Sequence, residues 1–166
     1  MSRSPSGRPR KKQALDPSDV GAAEFALTAL LARRELAVAQ AREKLLEWGY
    51  DPVVVEMVIA DFTERQVLDD VRYTERYIAS RSGRGQGPVR IRHELMGLGL
   101  SAALIEQAFA DGPDFCTHCR ELRQRKFGTK LPGAWAEKAK QMRFLQYRGF
   151  SSDHIKSALG PDPETE

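Results

Sequence analysis

Two short stretches of the chain carry residue types that could do chemistry. Cys116-Thr117-His118-Cys119 has the spacing of a disulfide oxidoreductase, and Asp114 could cap a helix whose N-terminus would favour a thiolate. Ser82 to Leu100 reads SGRGQGPVRIRHELMGLGL, and its opening alternates glycine with polar or basic side chains, as phosphate-cradling loops do. Both readings depend on the elements that would hold these residues. Redox C-x-x-C chemistry belongs to a βαβ scaffold. A zinc site needs a second ligand pair, and His93 and His154 stand alone elsewhere in the chain. Phe115, Cys119 and Leu122 share one helical face, so Cys119 is expected in a core, with no metal or cofactor. Gly83, Gly85 and Gly87 match neither the dinucleotide fingerprint nor the P-loop. Pro88 follows them as a first-turn residue, with Ile91, Leu95 and Leu98 on one face behind it. The loop therefore joins two helices, and its glycines suit a close approach by another surface.

Those helices belong to a repeat. LLEWGYDPVVVEMVIADF from Leu45, LMGLGLSAALIEQAF from Leu95 and LQYRGFSSDHIKSAL from Leu145 align, with Gly49, Gly99 and Gly149 fifty residues apart. Each glycine ends a helix in the left-handed conformation, and the large apolar residue after it (Tyr50, Leu100, Phe150) folds back onto that helix. Asp51, Ser101 and Ser151 then cap the next helix, with Pro52 at a first-turn position. A further amphipathic stretch precedes each pair, around Leu27 to Leu31, Tyr73 to Ile78 and Phe115 to Leu122. The only β-branched run, Val53 to Val55, lacks period-two alternation. The expected fold is all-α: three tandem three-helix repeats over 19–66, 67–111 and 112–160, forming an elongated, curved array. A basic tail over 1–18 and an acidic tail over 161–166 flank them, and the first is expected to be disordered.

Charge divides the molecule. The net charge of +3 hides an acidic stretch with Glu47, Asp51, Glu56, Asp61, Glu64, Asp69 and Asp70, followed by a basic half. The tail adds Arg3, Arg8, Arg10, Lys11 and Lys12, and beyond Arg76 the bases include Arg120, Arg123, Arg125 and Lys138. The residues expected to meet a partner or polyanion are Arg81, Arg84, Arg90 and Arg92 of the middle repeat, and Lys126, Lys130, Lys140, Arg143 and Arg148 of the third. Sequence-specific DNA reading is not expected, because the helix after Gly99 offers Ala102, Ala103, Glu106 and Gln107. No nucleophile, base and orienting group cluster, so a binding module rather than an enzyme is expected. No early apolar stretch resembles a signal peptide and no run approaches a membrane span, so the expected location is cytoplasmic.

RYIASRSGRGQGPVRIRHELMGLGLSAALIEQAF resembles the central motif of the RecX family, KAKQMRFLQYRGFSSDHIKSAL its C-terminal motif, and LLARRELAVAQAREKLLEWGY its N-terminal repeat. The likeness runs from Ala23 to Leu159. It implies a monomeric, all-helical regulator of the RecA recombinase in DNA repair, recombination and the SOS response. Such a protein lies in the groove of the RecA filament on single-stranded DNA, inhibits ATP hydrolysis and strand exchange, and limits filament growth. The alternative is a general nucleic-acid-binding protein that engages single- or double-stranded DNA through its Arg-rich repeats. One departure bears on the fold: the family's first repeat usually has Ser after Arg-Glu-aromatic, and this chain has Arg34, Glu35, Leu36 and Ala37. Without that N-cap, the first two helices are expected either to fuse or to break without side-chain support.

Overall fold

The computed structural model describes residues 15–161. Residues 1–14 and 162–166, which hold most of the two expected tails, lie outside the described residues. The described residues form nine helices and no strand: α1 (Val20–Leu31), α2 (Val38–Glu47), α3 (Pro52–Glu64), α4 (Asp70–Gly83), α5 (Pro88–Gly97), α6 (Ala102–Ala110), α7 (Phe115–Phe127), α8 (Trp135–Tyr147) and α9 (Ser152–Leu159). In the first unit α1 and α2 pack on α3, in the second α5 and α6 on α4, and in the third α7 and α8 on α9. These are tandem three-helix repeats.

The repeating glycines do what the sequence predicts. Gly49, Gly99 and Gly149 have φ of +93°, +83° and +92°. In each turn the following amide reaches back to a leucine carbonyl: Tyr50 to Leu45 at 3.2 Å, Leu100 to Leu95 at 3.3 Å, Phe150 to Leu145 at 3.2 Å. The apolar residue of each such pair is buried against its helix, which completes the C-terminal motif. Ser101 and Ser151 accept the amides of Leu104 and His154 at 3.3 and 3.4 Å. Asp51 departs from expectation. It occupies the N-cap position, yet its side chain takes no capping hydrogen bond; its amide donates to the Pro17 carbonyl at 3.0 Å, and Pro52 starts the helix.

The core is divided unevenly. Ala23, Leu27, Ala41, Leu45, Val55, Val58 and Phe62 form a core inside the first repeat. Ile78, Ile91, Leu95 and Ile105 of the second repeat share one core with Phe115, Cys119, Leu145 and Ile155 of the third. Each leucine or isoleucine buried there is worth roughly 1.5 to 3 kcal/mol against exposure. Two residues cross the first junction in opposite directions: Ala37 enters the second repeat's core and Leu68 the first's.

That junction answers how the chain starts α2 without an N-cap side chain of its own. The first two helices break over residues 32–37. Val38 N–H donates to Asp70 Oδ1 of the second repeat at 2.8 Å, and Ala37 N–H to Gln40 Oε1 at 3.1 Å. Arg76 pairs with Glu35 beside them. The next repeat thus supplies the missing acceptor.

A shared rule governs both junctions: the start of one repeat's middle helix sits on the glycine turn of the next repeat. A methyl added to Gly99 would lie 2.7 Å from Ala39 Cβ, and one added to Gly149 would overlap the Arg90 side chain and lie 2.9 Å from its nitrogen. Gly87 N–H donates to the Arg148 carbonyl at 2.8 Å and Val89 N–H to the Gly149 carbonyl at 3.0 Å. At the first repeat's turn Leu15 stands over Gly49, 3.4 Å from where a methyl would be.

Two outcomes test this packing. Alanine at Gly49, Gly99 and Gly149 should cost roughly 1 to 2 kcal/mol each from positive φ alone, with collision adding least at Gly49, more at Gly99 and most at Gly149; thermal melts in that order check it. Asp70→Ala should cost about 1 kcal/mol and speed exchange of the Val38 amide, whereas Asp70→Asn retains most of the protection.

Candidate partner-binding surface

The SGRGQG loop is a helix ending followed by a junction. Gly85 (φ +80°) ends α4, with Gln86 N–H donating to the Arg81 carbonyl at 3.1 Å. A methyl on Gly87 would strike the backbone of Gly149 and Phe150. The surface that approaches these glycines is therefore the third repeat of the same chain.

The four arginines around the loop do not behave alike. Glu94 accepts from the Tyr77 hydroxyl at 2.8 Å, Arg90 Nε at 3.0 Å and Gln86 Nε2 at 3.4 Å, with Arg81 Nε at 3.8 Å. Partial burial works to raise its pKa, but the Tyr77 and Arg90 hydrogen bonds and the charges of Arg81 and Arg90 outweigh that and hold it below the usual range. Arg81 also lies over the Tyr77 ring, 4.8 Å from its centre. Arg92 forms a two-point pair with Glu106 at 2.7 and 3.1 Å and stacks over Phe109 at 4.1 Å. Arg84 is exposed and makes no side-chain hydrogen bond or ion pair among the described residues. Three of the four guanidinium groups are thus engaged internally by two carboxylates, which weakens the field this repeat presents.

The third repeat gathers its cations on aromatic faces instead. Phe127 of α7 and Phe144 of α8 meet edge to face, centres 5.4 Å apart. Lys126 and Arg148 lie 5.9 and 5.6 Å from the Phe144 centre, and Lys140 lies 6.0 Å from that of Phe127. These rings hold the charges in place at little electrostatic cost, since a ring face attracts a cation without neutralising it. Among the described residues the only carboxylate ion-paired with this group is Glu137, 4.0 Å from Lys140. Arg143 is exposed, with no side-chain hydrogen bond or ion pair among the described residues.

Two basic residues counted on this half from sequence are not surface charges. Arg123 is 1% exposed and donates to the carbonyls of Lys130, Gly128 and Thr129 at 3.0 to 3.2 Å and to Gln141 Oε1 at 3.4 Å. It fastens the segment after α7 and thereby places Lys130. Lys138 is buried and donates to the carbonyls of Gly160 and Pro161 at 3.0 and 2.7 Å. For Arg123 the available signal was local, since carbonyls beyond a helix C-terminus need donors and a long basic side chain one turn back can reach them; Lys138 reaches the end of α9 from the start of α8, twenty-two residues away, and no local pattern announces it.

At the cysteines, Asp114 accepts the Cys116 and Thr117 amides at 2.9 and 3.2 Å and caps α7. Cys119 is fully buried in the shared core, and burial, with a smaller push from Cys116, raises its thiol to about 12. A thiol so held is packing, not a nucleophile. Among the described residues no helix is long and apolar enough to cross a membrane.

Comparison with known proteins identifies the repeats. Residues 69–108 match the family model for the second three-helix domain of RecX, and residues 114–159 that for the third. Regulatory protein RecX of Halorhodospira halophila is 36% identical over 154 residues, covering 90% of this chain and 96% of that protein. The one from Serratia proteamaculans is 47% identical over 114 residues, 68% of each chain. The crystal structure of RecX from Lactobacillus salivarius superposes with a TM-score of 0.73 at 17% identity, covering 84% of this chain and 94% of that one, and so shares the fold. Matched by family models over its second and third repeats and by a relative along nearly its whole length, this chain belongs to the RecX family of regulatory proteins.

Proposed function

We propose that this protein acts as a cytoplasmic monomer that inhibits the RecA recombinase, lying in the groove of its filament on single-stranded DNA and limiting ATP hydrolysis, strand exchange and filament growth. Family membership supports the regulatory role. The observation that carries the polyanion-facing part is the third-repeat group of Lys126, Lys140 and Arg148, anchored on Phe127 and Phe144, with exposed Arg143 beside them, opposed among the described residues by the single carboxylate Glu137. Fixed cations of this kind attract a phosphate-bearing filament. Arg84 and Lys130 extend the surface, while Arg81, Arg90 and Arg92 serve chiefly to hold Glu94 and Glu106. The protein's own residues bind and obstruct; no catalytic step is assigned to them.

A second reading, general nucleic-acid binding, draws on the same pairing of cations with aromatic rings, which single strands use for phosphate contact and base stacking. Phe127 and Phe144 are half-buried and packed edge to face on each other, so they are poorly placed to stack on bases.

Recombinase ATPase on single-stranded DNA, titrated with this protein, separates the readings. A filament regulator inhibits at well below one molecule per recombinase protomer, whereas a DNA competitor must saturate the DNA. Replacing Lys126, Lys140, Arg143 and Arg148 together with Ala should raise the half-inhibitory concentration about tenfold or more with helix content unchanged. The same change at Arg81, Arg90 and Arg92 should chiefly lower thermal stability, by less than about 1 kcal/mol for each partly exposed pair. Wild-type protein without effect on the ATPase would defeat the proposal.

A further inference from the structure

On the second repeat a groove of about 480 Å³ lies between α4, α6 and the segment leading to α7, lined by Glu75, Ile78, Ala79, Ala108, Asp111 and Pro113. Its floor is apolar and small, and its rim carries two carboxylates. Among the described residues neither the Glu75 nor the Asp111 carboxylate makes a hydrogen bond or ion pair, although most carboxylates nearby do. The cations that could have answered Glu75 are turned elsewhere. Arg72, one turn before it, donates to the carbonyls of Gln66 and Val67 at 3.3 Å, and Arg76 pairs with Glu35.

Asp111 is placed against the local field as well. It is the C-cap of α6, and no basic residue occupies that helix's last turn. A helix C-terminus carries partial negative charge and favours a cation, so an acid there is unfavourable unless something positive answers it. Helix end and two carboxylates together concentrate negative potential at the mouth of an apolar slot.

We infer that this groove receives a lysine or arginine side chain presented by a protein partner. Its aliphatic stem lies on Ala79 and Ala108, and its charged head meets Glu75 and Asp111. Long basic side chains divide in this way, burying the stem and leaving the head at the polar rim. Resting on the regulatory reading above, the partner is the recombinase filament. The groove then gives the protein a contact with protein, separate from the third-repeat cations that face phosphate.

The test has two arms. In the first, butylguanidinium, a mimic of the arginine side chain, is titrated while the methyl resonances of Ala79 and Ala108 are followed by NMR. Saturable shifts are expected, and they should vanish in the Glu75→Gln, Asp111→Asn double variant while helix content stays the same. In the second arm that variant should need about tenfold more protein to inhibit the recombinase yet bind bare single-stranded DNA at least as well as wild type. Shifts that stay linear to the highest concentration, or undiminished inhibition by the double variant, would overturn the inference. Should the wild-type protein have no effect on the recombinase, the regulatory reading fails while the methyl titration still decides the groove.

Discussion

The array depends on the contact between a glycine turn and the helix start that rests on it. Gly99 and Gly149 hold positive φ, which lets the preceding helix end sharply, and they lack a side chain, which lets Ala39 and Arg90 approach. One residue type meets both demands because a Cβ would fail each for a different reason. The turn then does two jobs at once: it closes the helix within its own repeat and seats the neighbouring one. Hydrogen bonds follow from that proximity, as in the Gly87 and Val89 amides that donate across the second junction.

The two junctions are built differently. Repeats two and three share a continuous core, so their relative placement is fixed by apolar burial as well as by backbone hydrogen bonds. The first repeat keeps its own core and is joined through Ala37, Leu68, the Asp70 carboxylate and the Arg76–Glu35 pair. An acidic first repeat attached by a few apolar and polar contacts to a basic unit of two is the result. The candidate phosphate-facing cations and the acidic groove both lie on that larger unit, where a rigid core can hold them in register.

Much of the fold was legible because its signals are local. A glycine every fifty residues, a large apolar residue after it and an oxygen-bearing cap next to it specify a helix–turn–helix without reference to anything distant. What could not be read was long-range. Asp70 looks like an ordinary first-turn acid in sequence, and only the packed structure brings it to Val38, thirty-two residues away. Arg123 and Lys138 count as surface charge in any composition, and burial removes both from it. Arg81, Arg90 and Arg92 read as a free basic patch until Glu94 and Glu106 are found beneath them. The cysteine pair shows the reverse case: helical periodicity alone placed Cys119 in the core, where the structure has it.

Hydrogen–deuterium exchange of this protein, free and with a recombinase filament on single-stranded DNA, tests most directly whether the two-repeat unit is the binding surface. Protection is expected along α7 and α8 around Lys126, Lys140, Arg143 and Arg148, and again where α4 and α6 border the groove of Glu75 and Asp111. Protection confined to the first repeat, with the second and third unchanged, would contradict it.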